Sequence, residues 1–559
     1  MLVIALDFGT TFSGIAYSFK DQKDPKVVAI TNWPGAEGQA VPKIPTVISY
    51  SDYGRSFKWG ASVNQTQDDA VSVKLLLDPS QEQPSYLPAA NHKRAMKNLP
   101  KPPVEIAADF MGAIYQHALS EISKTVPKAY FESCAREFVV SVPAIWSDKA
   151  KDATRKAAEA AGMSPVTMIK EPEAAALYTM HSLHVTLQVG DAFVLCDAGG
   201  GTVDLITYEV VKLEPVLELK ELVPGTGSMA GSLGLNQRFG EAVKGLVGED
   251  KYFELRKTKG YMFAVESFDR DVKRRFNGGP QEEYLIPFPK ANIEDDEDEG
   301  LQANCWSIKG TDLKTIFDPL VTDILRLIDD QIRTSNQKRG KGAIEGIFLV
   351  GGFGSSQYLK SRIEKRFPGT QVIQPTDAWA AVVKGAVLSK FPKTVAVMVT
   401  SATKHYGIEL DMEFDAAIDA GMPSFIHDAD CLLRMAWLIE IGHNIQRDQQ
   451  IRSKGHRFLK EGYQPSDLVF TEELIECSDM EAPTHFDKGD NIRPNCSLEW
   501  DARSLPQEKF EKRYKDLCAD FCDSYAIPYD FVIEIKSAVM KFSVEMDGEN
   551  MGSVEAKYD

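Results

Sequence analysis

The chain has 559 residues, of which 43 % are hydrophobic and 26 % charged, and its formal net charge is −18. The length allows several compact units, and the composition is that of an ordinary globular protein. The negative charge argues against general nucleic-acid binding, which relies on clustered Lys and Arg.

The chain shows no sign of a secreted or membrane protein. Its eight cysteines include no Cys-x-x-Cys pair, which indicates a reducing compartment. The N-terminus runs directly into a strand that contains Asp7, unlike a signal peptide, and no apolar stretch approaches the roughly 20 residues that span a bilayer. We therefore expect a cytoplasmic protein, with the nucleus as a further compartment, that binds neither membrane nor nucleic acid.

The first predicted element is a buried strand over residues 2–6, followed by Asp7 and a turn rich in Gly and Thr over residues 9–11. Glycines let backbone N–H groups approach a phosphate, Thr hydroxyls add donors, and an Asp carboxylate suits Mg²⁺ with its water shell. Taken alone, the segment is equally compatible with a phosphate-binding turn and with a strand and glycine turn that bind no ligand.

Strands and helices then alternate along the chain. Strands are predicted over residues 14–19, 46–50 and 137–143, and helices over 104–123 and 150–161. Residues 79–103 contain six prolines, which predicts an irregular insertion. The segment over residues 168–178 joins a further strand, through Glu171 and a proline at the first helical turn, to an alanine-rich helix.

The second Gly/Thr turn repeats the design of the first. An apolar run over residues 193–196 leads to Asp197, to the turn at residues 199–202, and to Asp204. The Walker A pattern and the dinucleotide fingerprint are both missing. Two turns that share Asp, Gly and Thr favour a two-sided phosphate clamp, with the turns facing each other across a cleft, as an ATP-binding protein requires.

The remaining sequence divides into an α/β part and a mostly-β part. Six acidic residues at 294–299 predict a solvated, mobile loop. A strand over residues 344–350 ends in a glycine pair, and helices are predicted over 357–367 and 378–390. Beyond Phe391 we expect short strands, among them 395–399, 406–410 and a hairpin over 531–546 that continues into a strand at 554–558.

Five blocks of the sequence, in this order, resemble the ATPase domain of the seventy-kilodalton heat-shock (DnaK-type) chaperones. They are residues 7–13, 142–144, 171–176, 197–204 and 349–352. The resemblance implies an α/β protein with a two-lobed, actin-like ATPase, a duplicated ribonuclease-H-like core, followed by a mostly-β domain. It implies a nucleotide-binding domain at 1–391, with lobes at about 1–190 and 191–391, and a β-rich domain at 392–559 that binds substrates or partners.

The resemblance also implies a site for ATP or ADP with Mg²⁺. Asp7 and Asp197 would hold the hydrated Mg²⁺, and Glu171, Asp204 and Thr202 would serve catalysis near the attacking water. The residues implied to contact the nucleotide are Gly9, Thr10, Thr11, Phe12, Gly199, Gly200, Gly201, Thr202, Gly231, Lys273, Arg274, Gly351, Gly352, Phe353, Gly354 and Ser355.

The chain departs from the family at several points. Val63 stands where typical members have a lysine that places the attacking water, and Lys74 lies too far along the chain to be assumed a substitute. Phe353 and Ser355 replace the usual serine and arginine beside the adenine. The acidic, leucine-rich linker is missing, and we expect no long helical lid after the last hairpin. Residues 405–408 and 437–442 instead resemble a divergent branch of the family with an atypical C-terminal half.

The leading interpretation is an ATP-binding, heat-shock-chaperone-like protein with weak or absent hydrolysis. Its partners would be unfolded polypeptides or proteins, with co-chaperones. One alternative is an ATP-gated scaffold without chaperone activity. The other is a small-molecule kinase of the same superfold, which also uses two phosphate turns.

Overall fold

The computed structural model describes the chain except for residues 22–25, 52–53, 64–70, 79–98, 145, 183–186, 341–343, 376, 392–394, 414, 416, 420–430, 461, 514–523, 537 and 552–559. The chain forms two compact units, Met1–Val397 and Met398–Asp559. Most of the predicted insertion at 79–103, the chain at 392–394 and the predicted strand at 554–558 lie outside the described residues. Among the helices that the structure describes, none has the length and apolarity to cross a bilayer.

The first lobe of unit 1 is built on a sheet with the strand order β3-β2-β1-β8-β9. Strand β1 pairs antiparallel with β2 and parallel with β8, and β8 pairs parallel with β9. All six residues of β1 are buried, as its apolar run predicts. The strands of this lobe are β1 Leu2–Asp7, β2 Phe12–Phe19, β3 Val28–Ala29, β4 Ile44–Pro45, β5 Val47–Ser51, β6 Ser56–Trp59, β7 Val71–Ser72, β8 Arg136–Val142 and β9 Val166–Lys170.

The second lobe repeats this topology. Strand β10 pairs antiparallel with β11 and parallel with β16, and β16 pairs parallel with β17, in the order β12-β11-β10-β16-β17. The strands are β10 Ala192–Ala198, β11 Val203–Lys212, β12 Leu217–Ser228, β13 Glu283–Pro287, β14 Leu301–Gln302, β15 Cys305–Lys309, β16 Gly346–Val350 and β17 Gln371–Ile373. The match of partners and directions confirms the predicted duplicated core.

Helices cover the two sheets of unit 1. Ser147 accepts a hydrogen bond from Ala150 N at 3.2 Å and begins α3, as its sequence predicts. The helices are α1 Pro103–Ser123, α2 Lys128–Ser133, α3 Asp148–Ala160, α4 Glu171–Ser182, α5 Leu233–Val247, α6 Glu249–Leu255, α7 Lys259–Ser267, α8 Lys273–Arg275, α9 Gly310–Arg339, α10 Gln357–Arg366 and α11 Ala381–Leu388.

Helices α4 and α11 pack very closely, which explains their small side chains. The residues of α4 from Ala174 to Ala176 are fully buried. A Cβ on Gly385 of α11 would lie 1.6 Å from the carbonyl oxygen of Ala174. The glycine therefore sets the distance between the two helices.

We predict that Gly385→Ala destabilises the protein by about 2–3 kcal/mol or more, because an overlap with backbone cannot be relieved by a rotamer change. Without that overlap, alanine would stabilise a helix by up to about 1 kcal/mol. The measurement is the free energy of unfolding in denaturant. The matched control is Gly245→Ala in α5, where a Cβ meets nothing within 4 Å. Equal stability of the two variants would contradict this account of the helix contact.

Unit 2 consists of antiparallel sheets around its own hydrophobic core. In the predicted hairpin, Phe531 faces Val544 and Ile533 faces Phe542, which confirms the alternation in the sequence. Asp547 and Gly548 have positive φ and turn the chain into β28. The strands are β18 Val395–Ser401, β19 His405–Glu413, β20 Cys431–Ile439, β21 Asn444–Gln446, β22 Gln450–Lys460, β23 Val469–Cys477, β24 Ile492–Asp501, β25 Glu511–Arg513, β26 Ser524–Lys536, β27 Val539–Met546 and β28 Glu549–Asn550.

The acidic run at 294–299 is exposed and lies in a hydrogen-bonded turn. Asp296 exchanges two backbone hydrogen bonds with Leu301, of 2.8 and 2.7 Å. The carboxylate of Asp295 accepts a bond from Ala303 N at 2.8 Å. The prediction of a solvated segment is confirmed, these bonds close it into a turn, and its mobility stays a prediction.

Candidate functional site

The two Gly/Thr turns lie at equivalent places in the duplicated fold. The first connects β1 to β2 and the second connects β10 to β11. In the registers of these hairpins, Asp7 faces Gly14 and Asp197 faces Asp204. Both Asp7 and Asp197 are buried at the ends of the central strands of their sheets.

The turns approach each other closely, as the sequence analysis expects of a clamp. A Cβ on Gly200 would lie 2.0 Å from Thr11 Oγ1. The segment around Gly231 joins the second turn through backbone bonds from Gly231 N to Gly201 O at 3.2 Å and from Ser232 N to Gly199 O at 3.1 Å. A Cβ on Gly231 would lie 2.4 Å from Gly200 O, so only glycine fits there. The two turns thus bring backbone N–H groups and Thr hydroxyls together, the donors that a phosphate accepts, and the segment around Gly231 supports the second turn.

Four buried carboxylates gather beside the turns: those of Asp7, Glu171, Asp197 and Asp204. Burial, with Glu171 nearby, raises the pKa of Asp197 to about 8 and that of Asp204 to about 7. Burial also raises the pKa of Glu171, against the opposing effect of Lys74. One oxygen of Asp204, Oδ1, is buried without a hydrogen-bond partner. The cluster therefore has unmet capacity for a cation or a hydrogen-bond donor.

Lys74 is a member of this cluster, so the expectation that it lies too far away is wrong. Its Nζ lies 2.7 Å from Glu171 Oε1, its side chain is 1 % exposed, and the ammonium sits 5.0 Å from the ring centre of Trp146. Lys74 opens a short 3₁₀ turn after β7, not a long helix, and that turn brings it inward. Val63 is buried. Position 63 is thus apolar, and the ammonium beside Glu171 belongs to a residue eleven positions later.

Lys43 is a second cation that the sequence analysis missed. Its Nζ lies 2.5 Å from Asp7 Oδ2, and its side chain is 11 % exposed. Burial lowers its pKa, but Asp7, together with Asp197 and Glu171, more than offsets this, so the pKa of Lys43 lies above its ordinary value. The residues next to Lys43 in the sequence do not indicate this contact, because Asp7 is distant in the sequence.

The residues that the resemblance places at the nucleotide, outside the two turns, divide into exposed and buried groups. Lys273 is buried, donates to Ser232 O at 2.7 Å and pairs with Asp269, so it supports the segment around Gly231. Phe353 is 2 % exposed and packs in the core beside Phe317, so its side chain cannot line a nucleotide. Gly354 is also buried, whereas Ser355 bonds Gly352 O from the surface.

Gly351 serves packing inside the second lobe. It has a φ of +86°, and a Cβ there would lie 2.4 Å from both Ala198 O and Asp197 Oδ1. The glycine therefore lets β16 end against the carboxylate of Asp197.

Trp379 is an aromatic residue beside the predicted nucleotide contacts, and its sequence did not indicate this position. The guanidinium of Arg274 lies 5.3 Å from the centre of its ring, and Phe12 meets it edge-on at 5.8 Å. A Cβ on Gly352 would lie 3.7 Å from Trp379 Nε1. Three residues predicted to contact the nucleotide, one from the first turn, thus surround a partly exposed indole.

Comparison with known proteins identifies the family. The model of the Hsp70 protein family matches residues 3–417, about three quarters of the chain. The chain belongs to the Hsp70 family. Among its curated Hsp70 relatives are human and mouse heat shock 70 kDa protein 12A, at 27 % and 26 % identity. Each alignment covers 73 % of this chain and 72 % of the relative. Human heat shock 70 kDa protein 12B is 24 % identical, over 73 % of this chain and 71 % of its own length.

Membership gives the general nature of the site. The chain is an ATP-binding, Hsp70-like protein with the actin-like ATPase fold, and the Hsp70 family uses ATP or ADP with Mg²⁺. The cluster suits Mg²⁺, because four carboxylates face two ammonium groups and Asp204 has an unpartnered oxygen. Among the described residues, no three His, Cys, Asp or Glu side chains lie close enough to hold a metal by themselves. Asp7 and Asp197 would therefore share Mg²⁺ with water and phosphate oxygens.

Proposed function

We propose that unit 1 binds ATP with Mg²⁺ between its two Gly/Thr turns and hydrolyses it, and that unit 2 binds extended polypeptide or protein partners. The observation that carries the first part is the approach of Gly200 to Thr11, because it joins two phosphate-binding turns into one site. The second part rests on family membership and on the surface of unit 2. The use of co-chaperones and a cytoplasmic location stay predictions.

Lys74 changes what we expect of hydrolysis. The prediction of weak or absent hydrolysis depends on the missing lysine at Val63, and a cation aimed at the reacting groups accounts for about 10²–10³ in rate. Lys74 places an ammonium 2.7 Å from Glu171, the residue that the family resemblance sets near the attacking water. We therefore propose that hydrolysis occurs and depends on Lys74. Glu171 would orient the water, and Lys74 would hold Glu171 and offset the negative charge around it.

The surface of unit 2 supports partner binding. Large hydrophobic side chains are exposed there, including Phe458 at 46 % and Met480 at 89 %. In the described part of unit 2, β22 and β24 are end strands of their sheets. An end strand can pair with an extended segment through backbone hydrogen bonds, while apolar side chains contact that segment.

The test of the proposed function is the binding of a labelled, extended apolar peptide, measured by fluorescence anisotropy with and without ATP. We expect binding that weakens when ATP is added. Phe458→Asp should weaken it, whereas the matched control Phe263→Asp, equally exposed at 46 % but in unit 1, should not. Peptide binding that ignores ATP would instead support a scaffold. Phosphorylation of a sugar panel without peptide binding would support the kinase alternative.

Trp379 gives a separate prediction about the nucleobase. Stacking of a base on an aromatic side chain is worth about 1–3 kcal/mol, so Trp379→Ala should weaken ATP binding by about 5- to 100-fold. Inorganic triphosphate has no base, and its affinity should stay unchanged. Titrations of both ligands check this, with Trp379→Phe as the control that keeps an aromatic ring. An equal loss of affinity for both ligands would show that Trp379 acts on the cleft as a whole.

A further inference from the structure

Each of two carboxylates in the phosphate cleft already has its own ammonium group. Lys74 pairs with Glu171, and Lys43 pairs with Asp7. The second oxygen of Asp7, Oδ1, accepts a hydrogen bond from Ser141 Oγ at 2.9 Å. Both oxygens of Asp7 therefore have a protein donor, although the family resemblance assigns this residue to Mg²⁺.

The position of Lys43 is fixed by the first turn itself. The segment that follows Lys43 bonds the turn from Thr46 N to Thr11 O at 2.8 Å, and the hydroxyls of Ser13 and Thr46 are 2.8 Å apart. A Cβ on Gly14 would lie 2.9 Å from Lys43 Cγ and 2.5 Å from Pro42 O. Gly14 lies directly opposite Asp7 in the hairpin. Its missing side chain thus leaves room for the aliphatic part of Lys43.

This arrangement differs from a surface ion pair. The side chain of Lys43 is 11 % exposed and that of Asp7 is 3 % exposed, so the pair is shielded from solvent and salt. A bound polyphosphate beside the first turn would meet an ammonium group already in place. A divalent cation at Asp7 would have to share that carboxylate with Lys43 and would be repelled by it.

We propose that Lys43 is a built-in counter-cation of the phosphate cleft, which lets this chain bind nucleotide with little dependence on Mg²⁺. The proposal rests on the proposed nucleotide site and adds to it a residue that sets its cation requirement. Asp197 and Asp204, which have no lysine partner of their own among the described ion pairs, remain available toward Mg²⁺. Mg²⁺ would then matter more for hydrolysis than for binding.

The experiment measures the dissociation constant of a fluorescent ADP analogue in excess Mg²⁺ and in EDTA. For the unchanged chain we expect less than about a tenfold loss of affinity in EDTA. A charge-assisted hydrogen bond is worth about 1.5–3 kcal/mol, so Lys43→Met should lose about 10- to 100-fold more in EDTA than in Mg²⁺. Lys43→Arg keeps the charge and should behave as the unchanged chain does.

The matched control is Lys404→Met, which removes the lysine of a similarly shielded pair with Glu476 in unit 2. Its affinity for the analogue should not change in either condition. If the unchanged chain binds nucleotide only when Mg²⁺ is present, the proposal about Lys43 is wrong while the nucleotide site stands. If the chain binds no nucleotide in either condition, the proposed function itself fails. The first comparison needs no variant, so it holds even if Lys43→Met does not fold.

Discussion

Lys74→Met should lower the single-turnover rate of ATP hydrolysis by about 10²–10³ and leave nucleotide binding largely intact. The reason is that methionine keeps the length and apolar stem of lysine but removes the ammonium 2.7 Å from Glu171. The same change should destabilise the free protein by about 3–5 kcal/mol, because it leaves a buried carboxylate unpaired among three others. Rapid-quench hydrolysis and denaturant unfolding measure the two effects separately.

The double variant Lys74→Met/Glu171→Gln separates charge balance from catalysis. It removes both charges, so stability should recover, whereas hydrolysis should stay slow. Val63→Lys provides the opposite test. Because Val63 is only 6 % exposed, a lysine there should reduce stability without raising the rate. If Val63→Lys hydrolyses ATP faster, or if Lys74→Met hydrolyses it at an unchanged rate, the proposed role of Lys74 is wrong. The cation that hydrolysis lacks would then be the one missing at position 63.

Gly231→Val should weaken ATP binding by at least about 100-fold, since it displaces several charge-assisted contacts to phosphate. A Cβ at this position would lie 2.4 Å from both Gly200 O and Gly201 C, which are backbone atoms of the second turn. The second turn would have to shift, which would disturb the close approach of Gly200 to Thr11. Isothermal titration with ATP and Mg²⁺ measures the loss.

The control for Gly231→Val is Gly245→Val, the same substitution in the same lobe, at a helix position where a Cβ meets nothing within 4 Å. It should bind ATP as the unchanged chain does. Circular dichroism of both variants checks that the lobes remain folded. If a folded Gly231→Val protein binds ATP with unchanged affinity, the segment around Gly231 is not part of the nucleotide site.

Local sequence was sufficient to predict the elements that present the site. The apolar runs before Asp7 and Asp197 form buried central strands, and the capped helix after Ser147 begins where its sequence indicates. These features depend on residues that are neighbours in the chain, such as an apolar run, a turn glycine or a capping hydroxyl. The repeated Asp, Gly and Thr pattern likewise predicted a two-sided phosphate clamp, because each copy is encoded in one short segment, and the duplicated fold followed from the resemblance to the chaperone ATPase.

Only the tertiary structure determined which charges and rings meet in the cleft. Lys43 and Lys74 reach Asp7 and Glu171 from segments 36 and 97 residues away, and no local pattern indicates either contact. Trp379 gains its importance from Phe12 and Arg274, which belong to distant parts of the chain. Phe353 was expected beside the adenine, but its side chain is buried in the hydrophobic core. Burial of a large apolar side chain is more favourable than exposure at a cleft. The sequence by itself determined the fold and the phosphate-binding turns. Long-range packing determined which lysines lie in the site. The strength of an ion pair depends on distance and burial in space and not on separation along the chain.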